Sequence, residues 1–482
     1  MKVISIINKT SHVPVQTLDC FVDKGYLQGT GGSLPDVDVD FQSDRRQEVK
    51  EYIERRYNHD GKQRVFSAGT FTTLKLKAVL KDVARVHRVP VNIVNYITAI
   101  FEDDNMSWTD LFTMAATNKK VHSFITEYPQ VIEDIRTLMG QPRSSSVHPS
   151  ALLVTPDSKD GKDLECFDFT PIKKIDGVLI SEFDGYSLDE QGLLKNDCLG
   201  IKELSKLQAV INICNDKYHT DITFQNIVQS GLDDPKVYQL LQKGYTQNIF
   251  QFSSKGMTKF LVSMQPDKIE DLIAANALFR PATLNSGSTD KYVDCKLGDA
   301  APVYLWGTYN AMKNTYGVLC YQEQLAQIAR EVGKFSLGEG VKLVKLISKK
   351  KVEKILALRD KFMTGANENG CPKEDAEAIW HMFEVAGGYL FNKSHATAYA
   401  VTAYAGAYLK ANYPTAFYTI ALQWAKDDEI PTLMSEMELC SEAKIVPPDI
   451  NVSGGTFITD YETNKIFWSL SRIKMLGAKA TE

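Results

Sequence analysis

Three aspartates alternate with two valines in the segment PDVDVDFQSDRR, residues 35–46. A period of two is the period of a β-strand, so Asp36, Asp38 and Asp40 are predicted to share one face of a strand. Neighbouring carboxylates would then lie roughly 6.6 Å apart along the strand, at about 3.3 Å rise per residue. Because clustered like charges repel one another, this face predicts a site for one or two divalent cations.

Other interpretations of the acidic strand are open at this point. A calcium-binding EF-hand loop also starts D-x-D-x-D, but it needs Gly at position six and Glu at position twelve, where this chain has Phe41 and Gln47. A second alternative is a phosphatase of the haloacid dehalogenase type, which has D-x-D at a strand end. A third is an acidic surface strand that binds no metal. Mg²⁺ is favoured because hard oxygen ligands suit it and substrate phosphates complete its coordination.

A second candidate pair lies in GLLKNDCLG, residues 192–200. Lys195 and Asp197 are two positions apart and are predicted to share a strand face. A carboxylate that holds metal beside a cation that neutralises phosphate would suit a nucleoside triphosphate. An ordinary ion pair of the sheet is the alternative.

The acidic strand is predicted to run directly into a helix. Ser43 is a plausible N-cap, with Asp44 in the first turn. The apolar stripe of this helix is predicted to consist of Val49, Tyr52, Ile53 and Tyr57.

The rest of the chain alternates between strand-like and helical patterns. Residues 74–140 have a helical pattern, residues 147–155 and 178–198 have strand-like patterns, and residues from about 201 to 450 are predominantly helical. RPATLNSGS and EVAGGY are turn signals within that last region. The predicted fold is α+β and mostly helical, with a small sheet region interrupted by one helical insertion and followed by a large helical region.

Composition limits the functional classes. A chain of 482 residues with 44% hydrophobic residues can form two to four domains. The formal net charge is −5, so any nucleic-acid contact must use local basic patches. The eight cysteines form no C-x-x-C pair, and no apolar stretch is a membrane span, which predicts reduced thiols and a cytoplasmic location without membrane association.

Two segments of the helical region could neutralise phosphate charge. In GEGVKLVKLISKKKVEKI six lysines fall within thirteen residues: Lys342, Lys345, Lys349, Lys350, Lys351 and Lys354. In FNKSHATAYA, residues 391–400, Ser394 is predicted to cap a helix whose N-terminal amides attract anions, with Lys393, His395 and Tyr389 close by. A solvated lysine face and a simple serine cap are the corresponding alternatives.

The order of the segments resembles the catalytic core of the bacterial DNA polymerase III α subunits, the C-family replicative polymerases. The resemblance covers nearly the whole chain from about residue 34. The matching segments include PDVDVDFQSDRRQEVKEYIERRYN, SSSVHPSALLVTP, GLLKNDCLGIKEL, LIAANALFRPATLNSG, YGVLCYQEQLAQIAREVGKFSLGEG and YLFNKSHATAYAVTAYAGAYLKANYPTAFYTIAL.

This resemblance implies an architecture. We expect a nucleotidyltransferase palm of the polymerase β type, an inserted helical thumb and large helical fingers. The implied boundaries are 1–67 for the first part of the palm, 68–140 for the thumb, 141–200 for the second part of the palm, 201–450 for the fingers and 451–482 for the start of a duplex-binding region.

The resemblance also implies roles for individual residues. Asp36, Asp38 and Asp197 match the catalytic, metal-binding carboxylates of the family, and Asp40 lies beside them. The residues that match nucleotide-binding positions are Lys195, Lys345, Lys349, Tyr389, Asn392, Lys393, Ser394, His395 and Arg280. Gln251, Arg143 and His148 match further positions near these sites, and ordinary structural roles are the alternative for Arg280, Gln251 and His148.

The implied activity is DNA-directed DNA polymerisation with two Mg²⁺ ions, primer–template DNA and deoxynucleoside triphosphates. QGTGGSLP, residues 28–35, is at best an imperfect match for the family's glycine–serine palm element, and we expect the PHP domain and the clamp-binding parts to be missing. We therefore expect one piece of a split or truncated polymerase, with another polymerase chain supplying N-terminal palm elements. Its location would be the bacterial cytoplasm, or the host cytoplasm if a phage encodes it. The alternatives are a non-catalytic fragment that binds primer–template or assembles the replisome, and an unrelated Mg²⁺-dependent phosphohydrolase.

Overall fold

The structure, a computed structural model, describes residues 37–101, 106–159, 161–348 and 352–476. For residues 37, 38, 159, 348 and 352–354 it describes the backbone alone. Within these ranges the chain forms two compact units. The sheet unit contains the strand residues up to 41 together with residues 45–200, and the helical unit contains residues 42–44 and those from 201 onward.

The sheet unit is built on a six-stranded mixed sheet of order β1-β8-β3-β2-β7-β6. Its strands are β1 (Val37–Gln42), β2 (Val65–Thr73), β3 (Pro142–Val154), β6 (Ile172–Ile175), β7 (Val178–Asp184) and β8 (Lys195–Ile201). A separate two-stranded ladder joins β4 (Ser158–Lys159) to β5 (Lys162–Asp163). β3 is antiparallel to both β2 and β8, whereas β2 and β7 are parallel.

The helices of the sheet unit include one insertion between β2 and β3. Helix α1 (Arg46–Tyr57) follows β1, and the insertion consists of α2 (Leu76–Val86), α3 (Val91–Ile100), α4 (Trp108–Thr117), α5 (Lys119–Glu127) and α6 (Pro129–Leu138). α7 (Gly185–Glu190) precedes β8, and a short 3₁₀ turn spans Cys166–Asp168. In α2 the buried Leu76, Val79, Leu80 and Val83 recur at helical spacing, so one face packs into a core shared with the other inserted helices.

The helical unit contains fifteen described helices, together with 3₁₀ turns at Lys313–Thr315 and Leu470–Arg472. The helices are α8 (Lys202–Lys217), α9 (Phe224–Gln229), α10 (Pro235–Gln242), α11 (Lys255–Met264), α12 (Ile269–Leu278), α13 (Pro281–Asn285), α14 (Ser288–Leu297), α15 (Tyr309–Met312), α16 (Gln322–Glu331), α17 (Leu337–Ser348), α18 (Val352–Glu368), α19 (Lys373–Ala386), α20 (Lys393–Asn412), α21 (Pro414–Trp424) and α22 (Ile430–Cys440). A three-stranded sheet follows, made of β9 (Lys444–Val446), β10 (Ile458–Asp460) and β11 (Lys465–Phe467).

Two hydrophobic cores stabilise the helical unit. One surrounds the alanine-rich helix α20, where Ala396, Ala400, Ala403 and Ala407 are fully buried. Small side chains let neighbouring helices pack closely against α20, with α12 and α10 among them. The other core is formed by α16 to α19 around Phe362 and Trp380.

The structure confirms the mixed, mostly helical architecture predicted from the sequence. The sheet is interrupted by a helical insertion, and the chain is mainly helical after residue 201. Strand β2 continues to Thr73, past the boundary predicted at residue 67, and the strand-like run 178–198 contains the short helix α7. RPATLNSGS, predicted as a turn, contains the five-residue helix α13.

The prediction for α1 was wrong in two respects. Its N-cap is Arg45 and not Ser43, whose hydroxyl instead lies 3.1 Å from that of Ser205 in the helical unit. None of the helix residues is buried, and Tyr52 is 55% exposed. Among the described residues, no helix has the length and apolar character required to cross a membrane.

Candidate active site

The strand that carries Asp197 lies beside the acidic strand. β8 is hydrogen-bonded to β1 on one side and to β3 on the other, and Asp197 is in register with Ala151 of β3. Asp38 and Asp40 lie on β1, where the side chain of Asp40 is half-buried. Asp36 and the side chain of Asp38 lie outside the described part of the structure. Strand pairing therefore brings the backbone of the acidic strand next to Asp197.

Asp197 is a buried carboxylate held at both oxygens. Its residue is 5% exposed. Oδ1 accepts a hydrogen bond of 2.6 Å from the Ser150 hydroxyl, and Oδ2 lies 2.7 Å from Nζ of Lys195. Burial by itself raises the pKa of Asp197, but the hydrogen bonds from Lys195 and Ser150 and the Lys195 charge outweigh burial, so the pKa lies below its usual value. The carboxylate is therefore ionised and fixed in orientation.

A bulge in β3 places Ser150 within reach of Asp197. Ser67 and Gly69 of β2 are paired with Leu152 and Val147, so β3 advances five residues while β2 advances two. The extra residues include His148 and Ser150. Bulges redirect side chains and are frequent beside active sites. Here the bulge directs the Ser150 side chain to Asp197.

His148 lies in the same bulge. Its Nδ1 accepts backbone hydrogen bonds from Ala151 at 3.0 Å and from Ser150 at 3.3 Å. Burial is the main cause of a lowered pKa for His148, although the charge of Asp197 opposes it. A neutral ring whose Nδ1 accepts must carry its proton on Nε2. His148 therefore has a structural role in the bulge and retains one donor on its other nitrogen.

Sequence reasoning missed two residues that contact the β3 bulge or Asp197. Ser150 was part of a recognised segment but was not identified as a partner of Asp197. Lys50 of α1 donates a hydrogen bond of 3.1 Å to the carbonyl of Pro149, and burial lowers its pKa. No sequence signal identified Lys50, because its proximity depends on the packing of α1 against the sheet.

Arg143 forms an ion pair of 3.0 Å with Asp82 of the inserted helices.

The Asp197 carboxylate is a suitable ligand for a hard cation. Asp197 supplies an ionised carboxylate oxygen, the ligand type that Mg²⁺ prefers. Among the described residues there is no cluster of three or more His, Cys, Asp or Glu side chains that could hold a metal. Two of the three predicted ligands, Asp36 and Asp38, have side chains outside that part of the structure.

The start of helix α20 forms a second cluster, within the helical unit. Its N-cap is Asn392, whose side chain accepts from the His395 amide at 2.8 Å, so the prediction that Ser394 caps the helix was wrong. Both carboxylate oxygens of Glu323 accept from the Lys393 amide, at 2.9 and 3.0 Å. Protein acceptors therefore already occupy amides that were predicted to attract an anion.

Basic side chains at the start of α20 contact two aromatic rings. The guanidinium of Arg280 lies 4.7 Å from the centroid of the Phe391 ring, and the His395 ring lies 5.5 Å from it. Nζ of Lys393 lies 5.6 Å from the centroid of Tyr321. Arg280 and His395 are exposed and Lys393 is half-buried. Arg280 and His395 thus share the Phe391 ring, whereas Lys393 lies over Tyr321, which is the β-bridge partner of Phe391.

The structure also describes Tyr389, Lys345 and Gln251, which the sequence resemblance placed at or near nucleotide-binding positions. The Tyr389 hydroxyl lies 3.2 Å from that of Ser288, at the start of the helix that follows Arg280 and α13. Lys345 is exposed on α17, and Ile347 of that helix packs against Gly387 just before Tyr389. Lys349 lies outside the described residues, and Gln251 adopts a positive φ of 61° in a turn.

Comparisons with known proteins match both units. Residues 13–200 match the family described as "Bacterial DNA polymerase III alpha NTPase domain", and residues 203–370 match "Bacterial DNA polymerase III alpha subunit finger domain". The chain is 33% identical to DNA polymerase III subunit alpha of Aquifex aeolicus, over 96% of this chain and 41% of that protein. It is 34% identical to the protein of the same name from Treponema pallidum, over 87% of this chain and 35% of that protein. The chain thus spans about two fifths of the length of these curated relatives.

Proposed function

Since the chain belongs to the family of bacterial DNA polymerase III α subunits, we propose that it is the catalytic core of a DNA-directed DNA polymerase. In this proposal it adds deoxynucleotides to the 3′ end of a primer by phosphoryl transfer. Its substrates are primer–template DNA and deoxynucleoside triphosphates.

The observation that carries the proposal is the position and state of Asp197. This carboxylate is buried, ionised and bonded at both oxygens, and its strand is the direct neighbour of the acidic strand. Keeping a buried charge costs free energy unless nearby groups compensate it. An arrangement of this kind favours a functional carboxylate over an incidental surface ion pair.

In this proposal Asp36, Asp38 and Asp197 hold two Mg²⁺ ions. Two such ions, when bound, lower the pKa of the attacking hydroxyl and stabilise the leaving group. Ser150 keeps Oδ1 of Asp197 in a fixed direction. Lys195 lies beside Oδ2 and supplies a positive charge that can pair with a triphosphate.

The cluster at the start of α20 supplies the second part of the proposal. Arg280, Lys393 and His395, with Tyr389, Asn392 and Ser394, are proposed to bind the incoming nucleotide. Basic side chains that pack against aromatic rings suit a ligand with phosphates and a base. Lys345 and Lys349 are proposed to add positive charge for the triphosphate or the template.

The domain assignment is part of the same proposal. The palm comprises residues 1–67 and 141–200, the thumb 68–140 and the fingers 201–450, with the start of a duplex-binding region at 451–482. The six-stranded sheet, the five inserted helices and the large helical unit support this division. The observed end of β2 would place the start of the helical thumb at Leu76.

Primer extension with Mg²⁺ and all four deoxynucleoside triphosphates tests the proposal. We expect the chain to extend a primer and the Asp197→Asn variant to lose extension by at least about a hundredfold, since the mutation removes a charge at the metal site. Asp176→Asn is the matched control, because Asp176 is exposed in the β6–β7 turn and asparagine tolerates its positive φ of 49°. The control should extend at the wild-type rate.

Two other results would redirect the assignment. Binding of primer–template without extension would favour the non-catalytic alternative. Hydrolysis of triphosphates that needs no DNA and is lost in Asp197→Asn would favour a phosphohydrolase. Equal extension by the wild type and Asp197→Asn would contradict the assigned role of Asp197.

A further inference from the structure

Glu323 is an unusually buried acid that the proposed chemistry does not use. It lies in the first turn of α16, and its residue is only 6% exposed. Burial raises the pKa of Glu323 to about 7, although amides of α20 and the Lys393 charge oppose this effect. Burial of a carboxyl group is unfavourable, so the buried position of Glu323 requires a physical explanation.

The backbone places the N-termini of α16 and α20 side by side. Tyr321 and Phe391 form a parallel β-bridge immediately before the two helices. The Gln322 amide donates to the carbonyl of Phe391, and the Phe391 amide donates to that of Cys320, each at 2.9 Å. A negative charge near helix N-termini is favourable because the helix dipoles point their positive ends toward it.

Glu323 fixes the first turn of α20. Both of its oxygens accept from the Lys393 amide, and Ser394 also donates a backbone hydrogen bond to it. The Asn392 side chain accepts from His395. Because these amides are occupied, a phosphate at this end of α20 must be bound by side chains.

We propose that Glu323 is a positioning residue for the incoming nucleotide: by holding the first amides of α20 it fixes Lys393 and His395 in the orientation that binds the phosphates. This inference rests on the proposed function, because it assigns the nucleotide to the α20 cluster. Glu323 itself contacts the protein backbone and not the nucleotide.

A cavity of about 370 Å³ lies beside Glu323. Lys393, Tyr321 and Glu323 all line it. The ionisable groups around Glu323 come from several elements and are Glu270, Lys313, Cys320, Tyr321, Glu331 and Lys393. A substitution at Glu323 leaves all of them in place.

Calorimetric titration of the full chain with dATP and Mg²⁺ tests the inference. Glu323→Gln keeps the shape and one acceptor oxygen but removes the charge. At pH 8 we expect it to weaken dATP binding about fivefold, because a charge-assisted hydrogen bond becomes a neutral one. At pH 6 the wild-type carboxyl is itself mainly protonated, so the ratio between the two affinities should fall below about twofold. The ratio is the readout because the terminal phosphate also titrates in this range.

Glu331→Gln is the matched control. Glu331 lies on the same helix and lines the same cavity, but its carboxylate accepts from Gln327 at 2.9 Å. This variant should bind dATP like the wild type at both pH values. Hydrogen exchange of the amides of residues 393–396 should be faster in Glu323→Gln and unchanged in Glu331→Gln. Wild-type exchange at the other amides of Glu323→Gln would verify that this variant is folded elsewhere.

Three outcomes would overturn the inference: equal dATP affinity of Glu323→Gln and the wild type at pH 8, a difference that is the same at both pH values, or no dATP binding by the wild-type chain. These readouts need no catalysis. If primer extension fails but dATP binding still depends on Glu323, the result would therefore count against the proposed polymerase activity and not against the role of Glu323.

Discussion

The hydroxyl of Ser150 donates a 2.6 Å hydrogen bond to Oδ1 of Asp197, and this contact links two strands at the candidate active site. The two residues are 47 positions apart in sequence. The contact depends on the β3 bulge, because the extra residues of the bulge bring the Ser150 side chain to Asp197 and a regular strand would lack them. Lys195 holds the other oxygen, so the carboxylate has one well-defined orientation.

Removing the Ser150 hydroxyl should impair catalysis more than folding. In Ser150→Ala, Oδ1 of Asp197 loses a buried donor, and supporting contacts of metal ligands typically contribute about 10- to 100-fold in activity or metal affinity. We therefore expect a loss of primer extension of that size, with a higher Mg²⁺ requirement, in a magnesium titration. Ser144→Ala, at an exposed position on the same strand, is the control and should retain wild-type activity. An unchanged magnesium requirement in Ser150→Ala would contradict this role.

Gly69 should tolerate no side chain. A Cβ on Gly69 would lie 2.4 Å from the carbonyl oxygen of Ser181, which is backbone and cannot rotate away. The Gly69 amide also donates to the Ser181 hydroxyl at 2.9 Å. We expect Gly69→Ala to lower the free energy of unfolding by about 2 kcal/mol or more, measured by urea denaturation. Gly454→Ala, where the nearest atom lies 3.5 Å from the added Cβ, should change it by less than about 0.5 kcal/mol.

Breaking the Lys410–Glu436 ion pair should strongly destabilise the helical unit. Lys410 is 1% exposed, and its Nζ contacts both Glu436 and the carbonyl of Gln247. Tyr418 and the Gln247 amide also donate to Glu436. Lys410→Met leaves a buried carboxylate without its cation, which we expect to cost about 3–5 kcal/mol in urea denaturation.

The Lys410 result has both a control and a diagnostic double variant. Lys373→Met breaks a highly exposed pair with Glu377 and should have an effect below about 1 kcal/mol. If uncompensated charge is the cause, Lys410→Met combined with Glu436→Gln should be more stable than Lys410→Met alone. A double variant that is less stable than the single variant would indicate lost packing instead.

The stability of the chain should depend on pH through Glu323. Its pKa in the folded chain is raised from the ordinary value of 4.5 to about 7, so the folded state binds the proton more tightly than the unfolded state. The corresponding stability is fully present below about pH 4.5 and is lost as the pH rises through about 7. Glu323→Gln does not titrate. The difference in free energy of unfolding, Glu323→Gln minus wild type, should therefore increase by on the order of 3 kcal/mol between pH 4.5 and pH 7.5.

Urea denaturation at a series of pH values measures this difference. The Glu331→Gln control should follow the wild type within about 0.5 kcal/mol across the series. A parallel pH dependence for Glu323→Gln and the wild type would show that Glu323 does not titrate in this window.

The sequence by itself was sufficient for the broad architecture. Periodicity predicted the strand that carries Asp38 and Asp40, the helical insertion and the large helical region, because the alternation of apolar residues follows local backbone geometry. Long ordered motifs identified the family, which the comparisons confirmed. The catalytic roles of Asp36, Asp38 and Asp197 and the nucleotide-binding roles are still predictions.

Tertiary structure determined which side chains hydrogen-bond to the predicted site residues. The Ser150–Asp197 bond depends on a bulge, and the Glu323–Lys393 bond joins residues that are 70 positions apart. Helix caps were mispredicted for the same reason: Ser43 lies near Ser205 instead of capping α1, and Asn392, not Ser394, caps α20. Local sequence shows which residues can donate or accept, but only packing determines which partner lies within the roughly 3 Å that a hydrogen bond requires.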